Sequence, residues 1–207
     1  MEDKDSRAKL LEIATDLFAC KGFADVSVRE LTQQAKLNVS AVSYHFGGKE
    51  GLYQAVLEEQ FRPIRESMET MQAQTPSTPI AKLEMYAKRV TYIHGQRPYL
   101  SRFIMRELLK PTAYGGPIVE RHLGEVYQFV METLREGIEQ GLFRQGLDVA
   151  HAAVSMAGIL NFYFITKPLA EKMVPLGEDS DASYTTQAFQ LYLYGIVDSK
   201  TKGNENR

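Results

Sequence analysis

Ser27–Tyr53, SVRELTQQAKLNVSAVSYHFGGKEGLY, is the stretch on which the reading of this chain turns. Ser27 and Glu30 make an S-x-x-E capping box: the serine hydroxyl accepts from a backbone N–H three residues on, and the glutamate reaches back to the cap. Val28, Leu31 and Ala35 then recur at helical spacing and predict one buried face. After Lys36-Leu37-Asn38, the set Val39, Val42 and Phe46 repeats that period and predicts a second short helix with its own buried stripe. Ser40, Ala41, Ser43, Tyr44 and His45 are left to face outward. Gly47-Gly48 breaks the pattern, and a long helix starts behind it. A short helix with an outer face of hydroxyls and small side chains suits the major groove, which admits a helix. Two such helices joined by a tight turn read as a helix-turn-helix whose second helix is the reader.

Outward from that motif the chain reads as helix after helix. The first is expected over 6–20, with Leu10, Leu11, Ala14, Leu17 and Phe18 buried and Gly22 as its terminator. The fourth continues at helical period through Leu52, Val56, Phe61 and Ile64, and Pro63 inside it predicts a kink or local break. A linker at Thr75-Pro76-Ser77-Thr78-Pro79 is followed by helices over 80–94, 98–109, 118–140 and from an Asp148 cap to about 165. A charged connection over 167–183 and a last helix to about Val197 complete the chain, with a polar tail over 198–207. The fold class is all-α, about nine helices, with no strand-like alternation and no repeat.

Composition sets outer limits. Of 207 residues, 44% are hydrophobic and 24% charged, as in an ordinary globular protein. Met1-Glu2-Asp3-Lys4-Asp5 has no apolar run behind it, so no leader is expected, and no stretch is expected to cross a bilayer. The single Cys20 rules out an intramolecular disulfide and fits a reducing, cytoplasmic compartment. It reads as a small packing residue at the end of the first helix. The net charge of −2 lacks the basic excess of a strong nucleic-acid binder. Residues 1–53 do not reverse this, with seven Lys and Arg against eight Asp and Glu. Distribution has to serve instead: Arg29, Lys36 and Lys49 lie at helix starts and the turn, whereas most of the acids lie on or just ahead of the first helix.

Arg7-Ala8-Lys9 through Phe23, the box at Ser27, Tyr44-His45-Phe46 and Gly48-Lys49-Glu50-Gly51-Leu52-Tyr53, in that order, resemble the amino-terminal domain of TetR-type transcriptional regulators. The resemblance implies an all-α homodimer on a palindromic double-stranded DNA operator, most often a repressor released by a small molecule. It implies a DNA-binding domain over 1–53 and a larger ligand-binding and dimerisation domain over 54–207. Ser40, Ala41, Ser43 and Tyr44 are then the candidates for base edges or nearby sugar. Ser27, Arg29, Lys36, Tyr44, His45 and Lys49 are the candidates for phosphate, which sets register and not sequence. Where the family commonly has glycine at the turn, this chain has Lys36, which can occupy a left-handed conformation at a cost of about 1 kcal/mol. Arg97-Pro98-Tyr99 with Phe103–Leu109 is similar to the carboxy-terminal domain of one TetR subgroup.

Methionines and aromatics concentrate in the later part of the chain, and such side chains suit either a helical core or an adaptable apolar pocket. Tyr99, Phe103, Arg106, Tyr127, Met131, Asn161 and Phe162 are the candidate ligand contacts, for an effector that is largely apolar or aromatic. Asn161 stands out, because an amide inside an apolar helix must find hydrogen-bond partners. Arg106 and Glu107 read as a solvated pair or an interhelical contact, with an acidic ligand as the sharper use of Arg106. The helices containing Ala152, Met156 and Leu160 and containing Phe189, Leu191, Tyr192 and Tyr194 are apolar enough to bury more than one side, as a dimer interface would. The rivals are an enzyme, a helical ligand carrier and a protein interaction module. His45, His94, His122 and His151 are scattered and phosphate-binding glycine loops are lacking, so no enzyme, cofactor or metal is expected.

Overall fold

Helical periodicity becomes nine α-helices among the described residues, 2–73, 78–177 and 179–198 of a computed structural model. They are α1 (Glu2–Lys21), α2 (Val28–Ala35), α3 (Ser40–Phe46), α4 (Lys49–Ala73), α5 (Pro79–Gln96), α6 (Leu100–Leu109), α7 (Gly116–Glu139), α8 (Val149–Met173) and α9 (Ser180–Ile196). Residues 75–77 of the expected linker and 199–207 of the expected tail lie outside the described residues.

By packing, the chain forms two units. The first combines Met1–Arg62 with Tyr99–His122, and the second combines Pro63–Pro98 with Leu123–Arg207. The all-α class and the helix count are as expected, but packing draws its line elsewhere than after residue 53. The start of α4, all of α6 and the first turns of α7 belong with the amino-terminal helices. α4 runs unbroken through Pro63, and the division falls at that residue.

In the first unit α1 buries Leu10, Ala14, Leu17 and Phe18 along one stripe, and Leu31, Val42, Leu52, Val56 and Phe61 are fully buried. Each such side chain contributes about 1.5–3 kcal/mol relative to exposure. Gly22, at φ +88°, ends α1 with its N–H on the Phe18 carbonyl at 2.9 Å. Cys20 is exposed, a correction to its reading as a packing residue. The buried stripe of α1 runs through Leu17 and Phe18, and Cys20 falls beyond it.

The second unit has one apolar core, with Met71, Leu83, Leu134, Phe143, Met156 and Leu160 among its buried members. Gly137 of α7 lies against the Phe143 ring, where an added Cβ would stand 2.1 Å from ring carbons. α8 corrects two expectations. It continues eight residues past the expected end near 165, through Pro168, because a proline removes one ladder bond and the flanking turns can hold. It is 25 residues long and holds an apolar stretch of mean hydropathy 1.4, enough by length and composition alone to cross a bilayer, a test that the core helix of a soluble protein also passes. Its buried face, Ala152, Met156, Leu160 and Tyr163, packs within the unit.

Candidate nucleic-acid interface

The α2–α3 pair is built by local hydrogen bonds. Ser27, in extended conformation, caps α2, its Oγ accepting from the Glu30 N–H at 3.1 Å. The box closes on one side only. The Glu30 carboxylate turns to Lys21 Nζ at 2.5 Å, where a full opposite charge is a stronger partner than a backbone N–H, and that contact holds its pKa below the usual value. At the turn Lys36 takes φ 54° and ψ 44°, the left-handed region, as required of a residue standing where glycine is common. Its N–H donates to the Gln33 carbonyl at 3.2 Å, and the Leu37 N–H donates to the Thr32 carbonyl at 2.9 Å. Thr32 is buried, its hydroxyl donating to the Val28 carbonyl at 3.0 Å.

Asn38 braces the start of α3, a role not read from the sequence although asparagine favours such positions. Its Oδ1 accepts from the Ser40 N–H and the Ser40 hydroxyl, each at 3.0 Å. Val39 between them is the cap position of α3, with φ −55° and ψ −34°, and is 54% exposed, a correction to its place in the buried stripe. Val42 is fully buried and anchors α3, while Ser40, Ser43 and Tyr44 are exposed and Ala41 and His45 are half-buried. Gly47 closes α3 at φ 74°. Gly51 in the first turn of α4 lies so near α3 that an added Cβ would sit 1.9 Å from the Phe46 carbonyl oxygen.

Among the candidate cations, Arg29 and Lys36 are exposed. Lys49 sits 4.5 Å above the Phe23 ring with its Nζ 3.4 Å from the Ala24 carbonyl, which ties the start of α4 to the α1–α2 loop. The Arg7 guanidinium lies 5.0 Å over the Phe46 ring, and His45 meets the Tyr44 ring edge-on at 4.9 Å.

α6 supports this head. Arg106 donates to the Cys20 carbonyl at 2.8 Å and the Ala19 carbonyl at 3.3 Å, so its cation caps the end of α1. The neighbouring Glu107 is buried, so of the two readings offered for this pair the interhelical contact holds and the solvated pair does not. It accepts from Tyr53 Oη at 2.6 Å, from the Thr112 N–H at 2.8 Å and from the Thr112 hydroxyl at 3.1 Å. Burial, and then the facing carboxylate, push the Tyr53 phenol well above its usual pKa. No sequence pattern announces this set, because Tyr53 and Glu107 are joined only by tertiary packing.

The seven candidate ligand residues are divided between the two units. Tyr99, Phe103 and Arg106 belong to the first unit, where Phe103 is fully buried 6.3 Å from the Tyr53 ring. Tyr127, Met131, Asn161 and Phe162 belong to the second. Phe162 is 63% exposed, because α8 turns it away from the core that its neighbours Leu160 and Tyr163 join. Tyr127 and Met131 are half-buried against the core. Asn161 does find partners: Oδ1 faces His94 Nε2 at 3.1 Å, and Nδ2 donates to the Ala157 carbonyl at 2.9 Å. His94 stacks on Phe164 at 4.2 Å, and burial lowers its pKa. Buried Tyr86 also reaches Asn161, its phenol pushed up to about 12 by desolvation. Next to Asn161 along α8, Met156, Ile159, Leu160, Ala188, Phe189 and Tyr192 line an apolar crevice too narrow to admit a water molecule.

The residues offered for a dimer interface divide in the same way. Ala152, Met156, Leu160, Phe189 and Tyr192 are buried within their own unit. What α8 and α9 leave exposed is Val154, Phe162, Leu169 and Met173, and Leu191 and Tyr194.

Residues 10–56 match the family model described as bacterial regulatory proteins, tetR family. The chain is similar to the probable HTH-type transcriptional regulator YttP of Bacillus subtilis (strain 168), 31% identical over 137 residues, 65% of this chain and 66% of that one. It is 31% identical over 125 residues to the HTH-type transcriptional dual regulator CecR of Shigella flexneri, covering 55% and 56% of the two chains. The chain thus spans less than two thirds of the length of these two relatives. The solved structure of the transcriptional regulator FadR from Bacillus subtilis in complex with stearoyl-CoA shares the fold, with TM-score 0.72 over 91% of this chain and 98% of that one at 18% identity. The relatives are transcriptional regulators and not enzymes.

Proposed function

The chain belongs to the tetR family of bacterial regulatory proteins, and on that footing we propose that it is a dimeric DNA-binding transcriptional regulator, a repressor released from a palindromic operator by a small molecule. One observation carries the reading: the left-handed turn at Lys36 and the Asn38 brace set α3 with Val42 buried and its small, polar and aromatic side chains in solvent. Residues 1–53 serve as the reading domain and 54–207 as the ligand-binding and dimerisation domain. Ser40, Ala41, Ser43 and Tyr44 meet base edges or sugar, and Ser27, Arg29, Lys36, Tyr44, His45 and Lys49 position phosphate.

The exposed stripe of Val154, Phe162, Leu169 and Met173 on α8, with Leu191 and Tyr194 on α9, supports an isologous two-fold contact between copies of this chain. Two reading helices then meet half-sites about 34–36 Å apart. Tyr86, His94 and Asn161 beside the apolar crevice support an effector with an apolar body and one polar group. The crevice is too narrow for such a molecule, so binding must favour a more open arrangement of the second unit, and that difference in affinity drives release. Acyl-coenzyme A compounds, like the one bound by the FadR regulator, are the first class to screen. The site of action is the cytoplasm.

The test is binding of the purified protein to a fluorescent pool of genomic fragments, titrated with salt and repeated with acyl-coenzyme A compounds. Selective retention that weakens steeply as salt rises is the expected result. Folded, dimeric protein that prefers no fragment under any of these conditions would reject the regulator in favour of an interaction module or a ligand carrier.

A further inference from the structure

The side chains that α3 can offer to a base are unusual in kind. From Val39 to Gly48 there is no Arg, Lys, Asn, Gln, Asp or Glu. Those are the side chains that grip guanine or adenine through two hydrogen bonds, or accept from cytosine. Asn38 does not fill the gap, because its Oδ1 already accepts from the Ser40 N–H and the Ser40 hydroxyl, each at 3.0 Å. That second bond also commits the Ser40 proton, which leaves its oxygen as an acceptor only. Arg29 and Lys36 are exposed beside the motif, but they lie outside α3, on α2 and in the turn.

What the face does present is Val39. It is the one exposed aliphatic side chain between Asn38 and Gly48, and its branched β-carbon leaves it few rotamers to lose on contact. A lone exposed valine is commonplace on a protein surface. This one stands at the cap position of α3, the helix proposed above to read DNA, and is 54% exposed there. The only strongly apolar feature on the floor of the major groove is the C5 methyl of thymine.

We infer that Val39 is a specificity-determining residue that reads a thymine methyl in each operator half-site, so that this regulator selects its operator through apolar contact in place of paired hydrogen bonds. The inference rests on the DNA-reading function proposed above. Serine hydroxyls and the Tyr44 ring add contacts around that methyl without fixing a purine.

The experiment selects a binding sequence for the full-length protein from a random duplex pool. Each thymine of the selected half-site is then replaced in turn by deoxyuridine, which lacks only the methyl. At one position per half-site the replacement is expected to weaken wild-type binding about fourfold. Val39→Ala, an exposed change that leaves the fold intact, is expected to bind the thymine and uracil duplexes equally. Val39→Thr, which keeps one methyl, is expected to retain part of the discrimination. A selected half-site without thymine, or uracil duplexes bound as tightly as thymine ones at every position, overturns the inference. So does a Val39→Ala variant as sensitive to uracil as the wild type. Failure to enrich any sequence rejects the DNA-reading function itself and is thereby distinguishable.

Discussion

In the first unit the buried carboxylate of Glu107 meets Tyr53 and Thr112, the end of α1 is capped by Arg106, and each helix of the motif ends on a defined cap. Along α8 of the second unit, Phe162, Leu169 and Met173 are exposed, while the other face of the same helix is buried. The contrast separates two kinds of requirement. A reading head must present a fixed surface to a rigid duplex, and side-chain bonds brace its helix ends, although the buried Gln60 Oε1 and His122 Nδ1 of the same unit have no hydrogen-bond partner. The second unit keeps apolar surface and a narrow crevice, which suits the sensing and assembling role proposed for it.

If the head is rigid through close packing, the sharpest way to break the comparison is Gly51→Ala. The new Cβ would fall 1.9 Å from the Phe46 carbonyl oxygen, and backbone atoms cannot step aside cheaply. A loss of about 3 kcal/mol is expected in urea unfolding, with sequence-selective DNA binding abolished. Near wild-type stability would mean that the α3–α4 approach has slack. Phe162→Glu probes the other side. It places a charge in the exposed stripe and is expected to raise the dimer dissociation constant about 100-fold by sedimentation while each chain stays folded. An unchanged dimer would remove the α8 stripe from the interface.

Lys36→Gly distinguishes strain from charge within the head. Relief of the left-handed conformation at φ 54° is expected to add about 0.5–1 kcal/mol of stability. Loss of the cation is expected to lower the salt dependence of DNA binding by about one phosphate contact per subunit. A variant less stable than the wild type would show that the lysine side chain packs better than the turn suggests. The smallest effect belongs to His94. Burial holds its imidazole below the ordinary value of 6.5, with Asn161 and Asp181 opposing. The unfolded chain therefore takes up the proton first as pH falls. Stability contributed by the neutral ring is complete above pH 6.5 and declines as pH drops through the lowered folded-state value. His94→Gln is expected to flatten that decline, by about 1 kcal/mol or less between pH 7 and 5; an unaltered pH profile would assign the slope to other groups.

Most of the motif was legible because its determinants are local. The Ser27 cap, the glycine stop at Gly22, the buried Leu31, Ala35 and Val42 and the outward Ser40, Ser43 and Tyr44 follow from spacing within a turn or two of helix. Val39 misled because it stands at the cap position of α3, where periodicity does not decide which side meets the core. Phe162 misled for a different reason. Its helix is apolar nearly all round, so periodicity could not say which side faces the core. The ligand candidates were chosen by residue type, and types recur in both units, so Tyr99, Phe103 and Arg106 could not be separated from Asn161 and Tyr127.

By itself the sequence determined the helical class, the helix-turn-helix with its reading face, and the family, because helix periods, caps and glycine stops act over a few residues and survive in any order of packing. Tertiary structure alone decided that Glu107 is a buried acceptor for Tyr53, that Arg106 closes α1, that Glu30 answers Lys21 before its own cap, and which face of α8 is left uncovered. Those pairings join residues that lie up to 87 positions apart, and a hydrogen bond or a buried face exists only once the chain has brought both partners to one place.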